Sequence, residues 1–163
     1  MAIKYISRKT YIEDNDTKVK IGVDLPIRRG DGLDGFFATT STTIEAVKNN
    51  IRNLLQTNTG ERLFQPNLGI DLRGLLFEQI TEETLLTIQD SILDVLEFWM
   101  PFVEVRDIQV LTHNDNQSIG VNEVRVKMLF NIKKDPNTVN SITVNFSSDF
   151  NQDTADSSGF GGY

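Results

Sequence analysis

Three carboxylates near the middle of the chain, Glu61, Asp71 and Glu78, are the residues best suited to chemistry. Paired carboxylates hydrolyse glycosidic bonds when they flank a sugar cleft, about 5 to 10 Å apart. The local pattern favours structural roles instead. Asp71 precedes an apolar run, as a helix cap does, and Glu61 has Arg62 beside it, which favours an ion pair. We therefore expect no catalytic residue in this chain.

Other residue types that carry chemistry are sparse. His113 is the only histidine and lies in a polar stretch, whereas zinc sites and nucleophile–base pairs need several such groups. The absence of cysteine excludes disulfides and thiolate metal sites. Gly60 and Gly69 are not followed by the Lys-Ser/Thr of a phosphate-binding loop. The sequence therefore predicts neither a metal site nor a cofactor.

Composition limits the class of protein. A formal net charge of −7 argues against a general nucleic-acid binder, because a basic surface supplies most of that affinity. No apolar run is long enough to span a bilayer, so we expect no membrane partner. Residues 1–15 lack the apolar segment and cleavage site of a signal peptide, which predicts assembly in the cytoplasm. The 163 residues suffice for one packed domain with extensions.

The stretch from 57 to 79 organises the rest of the chain. Gly60 suits the left-handed position just past a helix C-terminus. Pro66 forces an extended residue before it, and residues 67–69 indicate a turn. Asp71 then caps a short helix. One helix therefore stops, the chain crosses over in an extended form, and a second helix begins. The apolar residues on one face of that second helix are Leu72, Leu75, Leu76 and Ile80.

Two longer helices are predicted on either side of this crossing. Thr42 and Glu45 have capping-box spacing at the start of a helix over 43–57. Thr81 starts the later helix, and Pro101 ends it. Their buried stripes are Ile44, Val47, Ile51, Leu54 and Leu55 in the first, and Leu85, Ile88, Ile92, Val95, Leu96 and Trp99 in the second.

Strands follow the helices. Three of them are predicted over 103–111, 121–132 and 139–146. A polar hairpin loop at 113–120 and a turn at 134–137 connect them. Hairpin-linked strands are antiparallel. The order of elements predicts an α+β domain over 36–146, with N-terminal helices packed on one face of a small antiparallel sheet.

Two extensions flank this domain. Residues 1–35 predict an extended N-terminal arm, with a half-buried strand that Pro26 ends. Phe36 and Phe37 would anchor the arm on the domain; the alternative is an arm that reaches a partner. Residues 147–163 are rich in Ser, Asp, Asn and Gly and predict a disordered tail. The alternating apolar residues of the arm strand are Val19, Ile21, Val23 and Leu25.

The stretch after the first helix resembles the signature of a known family, the W-like baseplate wedge proteins of contractile phage tails. Relatives also serve as the sheath-initiating subunit of bacterial contractile injection systems. The typical pattern is Thr-x-x-Gly-Glu-Arg, then Pro-x-(Phe/Leu)-Gly, then Leu-x-x-x-(Leu)-Phe-Glu. The resemblance extends over about residues 35–146. The matching residues are Thr57, Gly60, Glu61, Arg62, Pro66, Gly69, Leu72, Leu76, Phe77 and Glu78.

One segment departs from the family pattern. Many members carry Glu-Pro-Arg after the third helix, whereas residues 100–102 here are Met-Pro-Phe. The proline is kept and the two charges are not. The contact that those charges make in relatives is therefore absent here, or Glu104 and Arg106 replace it.

The resemblance implies a structural subunit of the virion tail baseplate, assembled in the host bacterial cytoplasm. Its partners would be other wedge proteins and the tail sheath protein, with tail tube or hub proteins as further candidates. Sheath polymerisation would start when an arm of another chain adds a strand to an open sheet edge, placed at 139–146 because only the tail follows it. Some members have carried a lysozyme label, so a tail-associated peptidoglycan hydrolase is the alternative. The predicted partner-binding residues are Gly60, Glu61, Arg62, Pro66, Gly69, Thr143 and Val144.

Overall fold

The computed structural model describes residues 14, 18–30, 32, 35–75, 81–120 and 123–147. Predictions for most of the N-terminal arm and for the tail beyond residue 147 lie outside the described part of the chain. The same holds for the side chains of Leu75, Leu76, Phe77, Glu78 and Ile80.

The three helices begin where their capping residues predict. Helix α1 spans Thr43–Gln56, α2 spans Leu72–Leu75 and α3 spans Glu82–Trp99. The hydroxyl of Thr42 accepts a hydrogen bond from the backbone N–H of Glu45 at 3.4 Å. Asp71 accepts from the Gly74 N–H at 2.9 Å, and Thr81 from the Thr84 N–H at 3.2 Å. These contacts satisfy N–H groups that have no partner inside a helix.

A three-stranded antiparallel sheet forms the second half of the chain. Strand β3 spans Val103–Leu111, β4 spans Glu123–Ile132 and β5 spans Asp135–Ser147. The order is β3-β4-β5, so β4 is central and the other two strands are edges. Apolar residues alternate along β4 and pair with apolar residues of β5, as Val126 does with Val144. One face of the sheet is therefore apolar.

The core lies between that face and the helices, which confirms the α+β class and the helix-covered sheet. Ile51 of α1, Ile92 of α3 and Phe130 of β4 are all completely buried. Truncating a side chain of this kind to alanine typically costs about 2–5 kcal/mol. In the described residues, no helix is both long and apolar enough to cross a membrane.

The predicted turn at 134–137 is wrong in position. Lys133 and Lys134 form the turn, and β5 already begins at Asp135, which pairs with Ile132. The register then shifts before Asn140 pairs with Phe130. This irregularity places Pro136 in a bulged part of an edge strand, where a residue without an N–H is tolerated.

The arm strand is shorter and more exposed than the alternation predicted. Strand β1 is only Gly22–Val23, paired with β2 at Thr39–Thr40. Val19 and Val23 are exposed. A two-residue ribbon is too short to form a regular half-buried face, so only Ile21 and Leu25 of the alternating set are half-buried.

Phe36 and Phe37 do not anchor the arm by burial, so that prediction is wrong. Their side chains are 69% and 51% exposed, and their rings meet edge to face at 5.1 Å. Polar contacts hold the arm instead. Arg52 of α1 donates to the Leu25 carbonyl at 2.8 Å. Asn49 of α1 donates to the Val23 carbonyl at 3.3 Å.

Candidate functional site

Residues 57–70, here called the signature loop, form a closed and internally bonded turn between α1 and α2. The Gly60 N–H donates to the Pro66 carbonyl at 2.8 Å. The Ile70 N–H donates to the Thr57 carbonyl at 2.9 Å, which joins the two ends of the loop. A compact loop whose ends are close and whose backbone is bonded internally holds one shape.

Glycine is required at one of the two loop positions with positive φ. Gly60 has φ +91° with open space around it. Gly69 has φ +104°, and a β-carbon there would lie 2.1 Å from the Thr57 carbonyl oxygen. Gly69 therefore lets the returning chain touch the end of α1.

Glu61 and Arg62 are both exposed and bind within the loop region. The Glu61 carboxylate accepts from the backbone N–H of Asn58 at 2.9 Å and from its side-chain amide at 2.8 Å. Arg62 donates to the Asn53 side-chain oxygen at 3.3 Å. Glu61 thus stabilises the first turn of the loop, and the guanidinium of Arg62 lies over the last turns of α1.

The tip of the loop carries two apolar side chains that sequence reasoning missed. Leu63 is 88% exposed and Phe64 is 91% exposed. The sequence does contain a sign of this exposure: two large apolar residues are adjacent between Gly60 and Pro66, in a stretch without helix or strand period. Such exposure on a well-bonded loop is typical of a protein interaction site.

The two edges of the sheet differ, and the β3 edge is blunted. Its register shifts between Val105 and Asp107, which places a bulge at Arg106. Gln89 of α3 donates to the Ile108 carbonyl at 3.4 Å, which satisfies an acceptor of this strand. Bulges, charges and a covering helix are the devices that prevent strand addition.

The β5 edge presents its backbone outward at alternate residues. Lys133, directly after β4, donates its N–H to the carbonyl of Phe102, directly before β3, at 2.9 Å. Backbone groups alternate in direction along a strand. Odd-numbered residues of β4 therefore direct their N–H and C=O groups toward β3, and even-numbered residues direct theirs toward β5. Val144 pairs with Val126 and therefore bonds toward β4, and its side chain is buried. The backbone N–H and C=O groups of Thr143 therefore point away from the sheet. Among the described residues, no backbone hydrogen bond from another segment reaches the outward groups of Ser141 and Thr143.

The β5 edge also lacks the charges that protect an edge. From 137 to 147 the sequence is NTVNSITVNFS, without a single Asp, Glu, Lys or Arg. The β3 edge carries Glu104, Arg106 and Asp107 in nine residues. An uncharged edge strand rich in Val, Ile, Thr and Phe is a template for pairing with another strand.

Two of the three carboxylates considered for hydrolysis take local structural roles, and Glu78 lies outside the described residues. Glu61 bonds to Asn58, and Asp71 caps the turn at Gly74.

Hydrogen bonds from the backbone N–H and then the hydroxyl of Thr112 hold the pKa of Asp115 below its ordinary 3.8. Among the described residues, no group of three His, Asp or Glu could hold a metal ion. His113 bonds through Nδ1 to the Ile119 carbonyl.

Glu104 and Arg106 are joined through a buried amide. Asn131 is completely buried, accepts from Arg106 Nε at 2.8 Å and donates to the Glu104 carboxylate at 3.0 Å. The two charged groups also pair directly at 3.3 Å. These charges therefore stabilise the bulged end of β3. Their replacement of the family's Glu-Pro-Arg contact stays a prediction.

Similarity to known proteins agrees with this architecture. The chain is 28% identical over 91 residues to the baseplate wedge protein gp25 of Enterobacteria phage T4, covering 56% of this chain and 68% of that protein. A putative tail lysozyme of Geobacter sulfurreducens shares the fold with a TM-score of 0.57 and 20% identity, over 66% of this chain and 93% of that one. A chain of the anti-feeding prophage baseplate does so with a TM-score of 0.50 and 20% identity, over 78% and 84%.

The family assignment rests on the sequence match. Residues 41–137, more than half of the chain, match the family model of the baseplate wedge protein gp25. That span runs from the cap of α1 through the signature loop and α3 into the start of β5. The chain therefore belongs to the family of the baseplate wedge protein gp25, whose members are structural components of contractile-tail baseplates.

Proposed function

We propose that this protein is a baseplate wedge subunit that binds other wedge proteins through the signature loop and starts polymerisation of the tail sheath at the β5 edge. The observation that carries this proposal is the uncharged stretch 137–147 of the edge strand β5, where no backbone hydrogen bond from another described segment reaches Ser141 or Thr143, in a sheet whose other edge is blunted. The family assignment supplies the baseplate as the place where such an edge would be used.

The β5 edge offers a backbone ladder to a partner strand. The outward N–H and C=O groups of Ser141 and Thr143 are spaced as in any strand, so an extended arm of a sheath subunit can pair with them. Alternate side chains along β5 would set the register of that arm. Pairing would also cover an edge that otherwise favours aggregation.

The signature loop offers a preorganised apolar contact. Leu63 and Phe64 stand at its tip, and Arg62 and Glu61 stand beside them. Because the loop is already bonded internally, docking it costs little ordering entropy. Aromatic and arginine side chains are the residue types that dominate protein interfaces. We assign this contact to another wedge protein.

A lytic activity is the alternative, since one neighbour of similar fold is a putative tail lysozyme. A shared fold does not confer an active site. Glu61 and Asp71 both serve as local caps. We propose that the protein is not an enzyme and that it leaves purified peptidoglycan intact at neutral and acidic pH. If the native protein degrades purified peptidoglycan, and the Glu61→Gln or Glu78→Gln variant does not, the alternative is established.

Assembly of baseplates with and without the chain tests the structural role. Baseplates formed in its absence, or with a version truncated before β5, should fail to carry extended sheath when examined by electron microscopy. Adding the purified full chain should restore sheathed tails. Normal sheath on baseplates that lack the chain would assign sheath initiation to another protein.

A further inference from the structure

Helix α3 carries, on its exposed side, a seam in which leucines alternate with acidic residues. Glu83, Leu86, Asp90, Leu93 and Glu97 are spaced alternately three and four residues apart. All five are exposed. This spacing is that of the a and d positions of a coiled coil, with leucine at d and an acid at a.

The seam lies opposite the face that packs on the domain. The buried residues of α3 are Ile88, Ile92 and Leu96. Leu86 is 60% exposed and Leu93 is 41% exposed, and they lie seven residues apart on one side of the helix. The domain core therefore does not account for the two seam leucines.

Only part of the charge on α3 favours the helix: Glu82 and Glu83 lie at its positive end, whereas the later acids do not. Its 18 residues include Glu82, Glu83, Asp90, Asp94 and Glu97, with no lysine or arginine. Asp90 and Asp94 are one turn apart, which is unfavourable for like charges, and Glu97 lies at the negative end of the helix dipole. Among the described residues, none of these carboxylates forms an ion pair.

We propose that the α3 seam docks a basic amphipathic helix of another polypeptide. Leucines of the partner would fill the spaces around Leu86 and Leu93, and its lysines or arginines would lie against Glu83, Asp90 and Glu97. A second copy of this chain does not fit, because it would place acids opposite acids. The seam is separate from the signature loop and the β5 edge. Purified protein suffices to test it, so this inference and the proposed function can fail independently.

Two synthetic peptides test the inference on the full-length protein. Each is a helical peptide of about three heptads with leucine at d; one carries lysine at a and the other glutamate. Fluorescence anisotropy should show the lysine peptide binding at least about tenfold more tightly than the glutamate peptide. Binding should be lost in Leu86→Ser/Leu93→Ser and weakened in Asp90→Lys. Asp107→Lys, which reverses an exposed charge on β3, should bind as the native protein does.

Several results would overturn the inference. One is that the lysine peptide binds native protein and a folded Leu86→Ser/Leu93→Ser variant, whose melting temperature is unchanged, with equal affinity. The peptide would then be held by non-specific charge attraction and not by the leucines. Another is equal weakening by Asp107→Lys and Asp90→Lys. If the lysine peptide does not bind at concentrations up to about 1 mM, a basic helix is excluded as the occupant. The same conclusion follows if the native protein forms dimers and the Leu86→Ser/Leu93→Ser variant is a monomer.

Discussion

The α-carbon of Gly69 lies against the backbone of Thr57, so that a β-carbon would be 2.1 Å from the Thr57 carbonyl oxygen. That same oxygen accepts the hydrogen bond from Ile70 at 2.9 Å. One contact thus fixes the start of the crossing between α1 and α2 to its end, and the exposed tip of the loop is held between them.

Replacing the two loop glycines by alanine should have unequal effects. Gly60→Ala meets only an unfavourable φ and should cost about 1–2 kcal/mol of unfolding free energy. Gly69→Ala adds a clash with backbone and should cost clearly more, because the ends of the loop must separate. Urea denaturation of both variants measures the difference. Equal losses would show that the approach at Thr57 relaxes without cost.

Side chains at the loop tip should matter for assembly and not for folding. Leu63→Ser/Phe64→Ser, and separately Arg62→Ala, should leave the melting temperature nearly unchanged, because Leu63 and Phe64 are almost fully exposed and the hydrogen bond of Arg62 to Asn53 is exposed as well. Both should weaken incorporation into the wedge in competition with native protein. Leu72→Ala, at a buried position, is the control that should lower stability by about 3 kcal/mol. A loop-tip variant that unfolds would show that the tip is part of the core.

The buried amide of Asn131 should be sensitive to charge. Asn131→Asp places a carboxylate against Glu104, replacing a donor by a second acceptor, and should cost more than about 1 kcal/mol at neutral pH. Glu104→Gln in that background should recover most of the loss, since its amide can donate. A double-mutant cycle measures the coupling. Additive effects would indicate that Asn131 and Glu104 do not interact.

Acid should destabilise the protein partly through Asp115. Hydrogen bonds from Thr112 lower the pKa of Asp115 in the folded state, so its contribution is present above the ordinary pKa of 3.8 and is lost as the pH falls through the folded value. Asp115→Asn should therefore flatten the fall of melting temperature between about pH 5 and 3. An unchanged slope would place the acid sensitivity in other carboxylates, such as Asp24. Burial raises the pKa of Asp24, but hydrogen bonds from Arg28 and Asn49 outweigh this effect and lower the pKa overall.

Local patterns predicted the elements because each has a local cause. The cap of α1 at Thr42, the cap of α3 at Thr81 and the alternation along β4 depend on neighbours in sequence. The turn before β5 was misplaced because the bulge that absorbs Pro136 depends on pairing with β4. The arm strand was overestimated because alternation alone does not show how many residues pair with a neighbouring strand, and only Gly22 and Val23 do so here.

The candidate site was only partly accessible to sequence reasoning. The loop glycines and Arg62 were identified from the family signature, whereas exposure of Leu63 and Phe64 depends on how the whole loop turns. The choice between sheet edges depends on strand order and on a side-chain contact from Gln89 of α3. Neither is written in a short stretch of sequence.

The most direct test of sheath initiation at β5 is a proline scan read by electron microscopy of assembled baseplates. Thr143→Pro removes an outward N–H, so the protein should fold, while sheathed tails should fall at least about tenfold. Val144→Pro removes an N–H directed at β4 and should unfold the protein, and Thr143→Ala, which keeps the backbone donor, should assemble normally. Folded Thr143→Pro protein in baseplates that carry normal extended sheaths would contradict docking at the β5 edge.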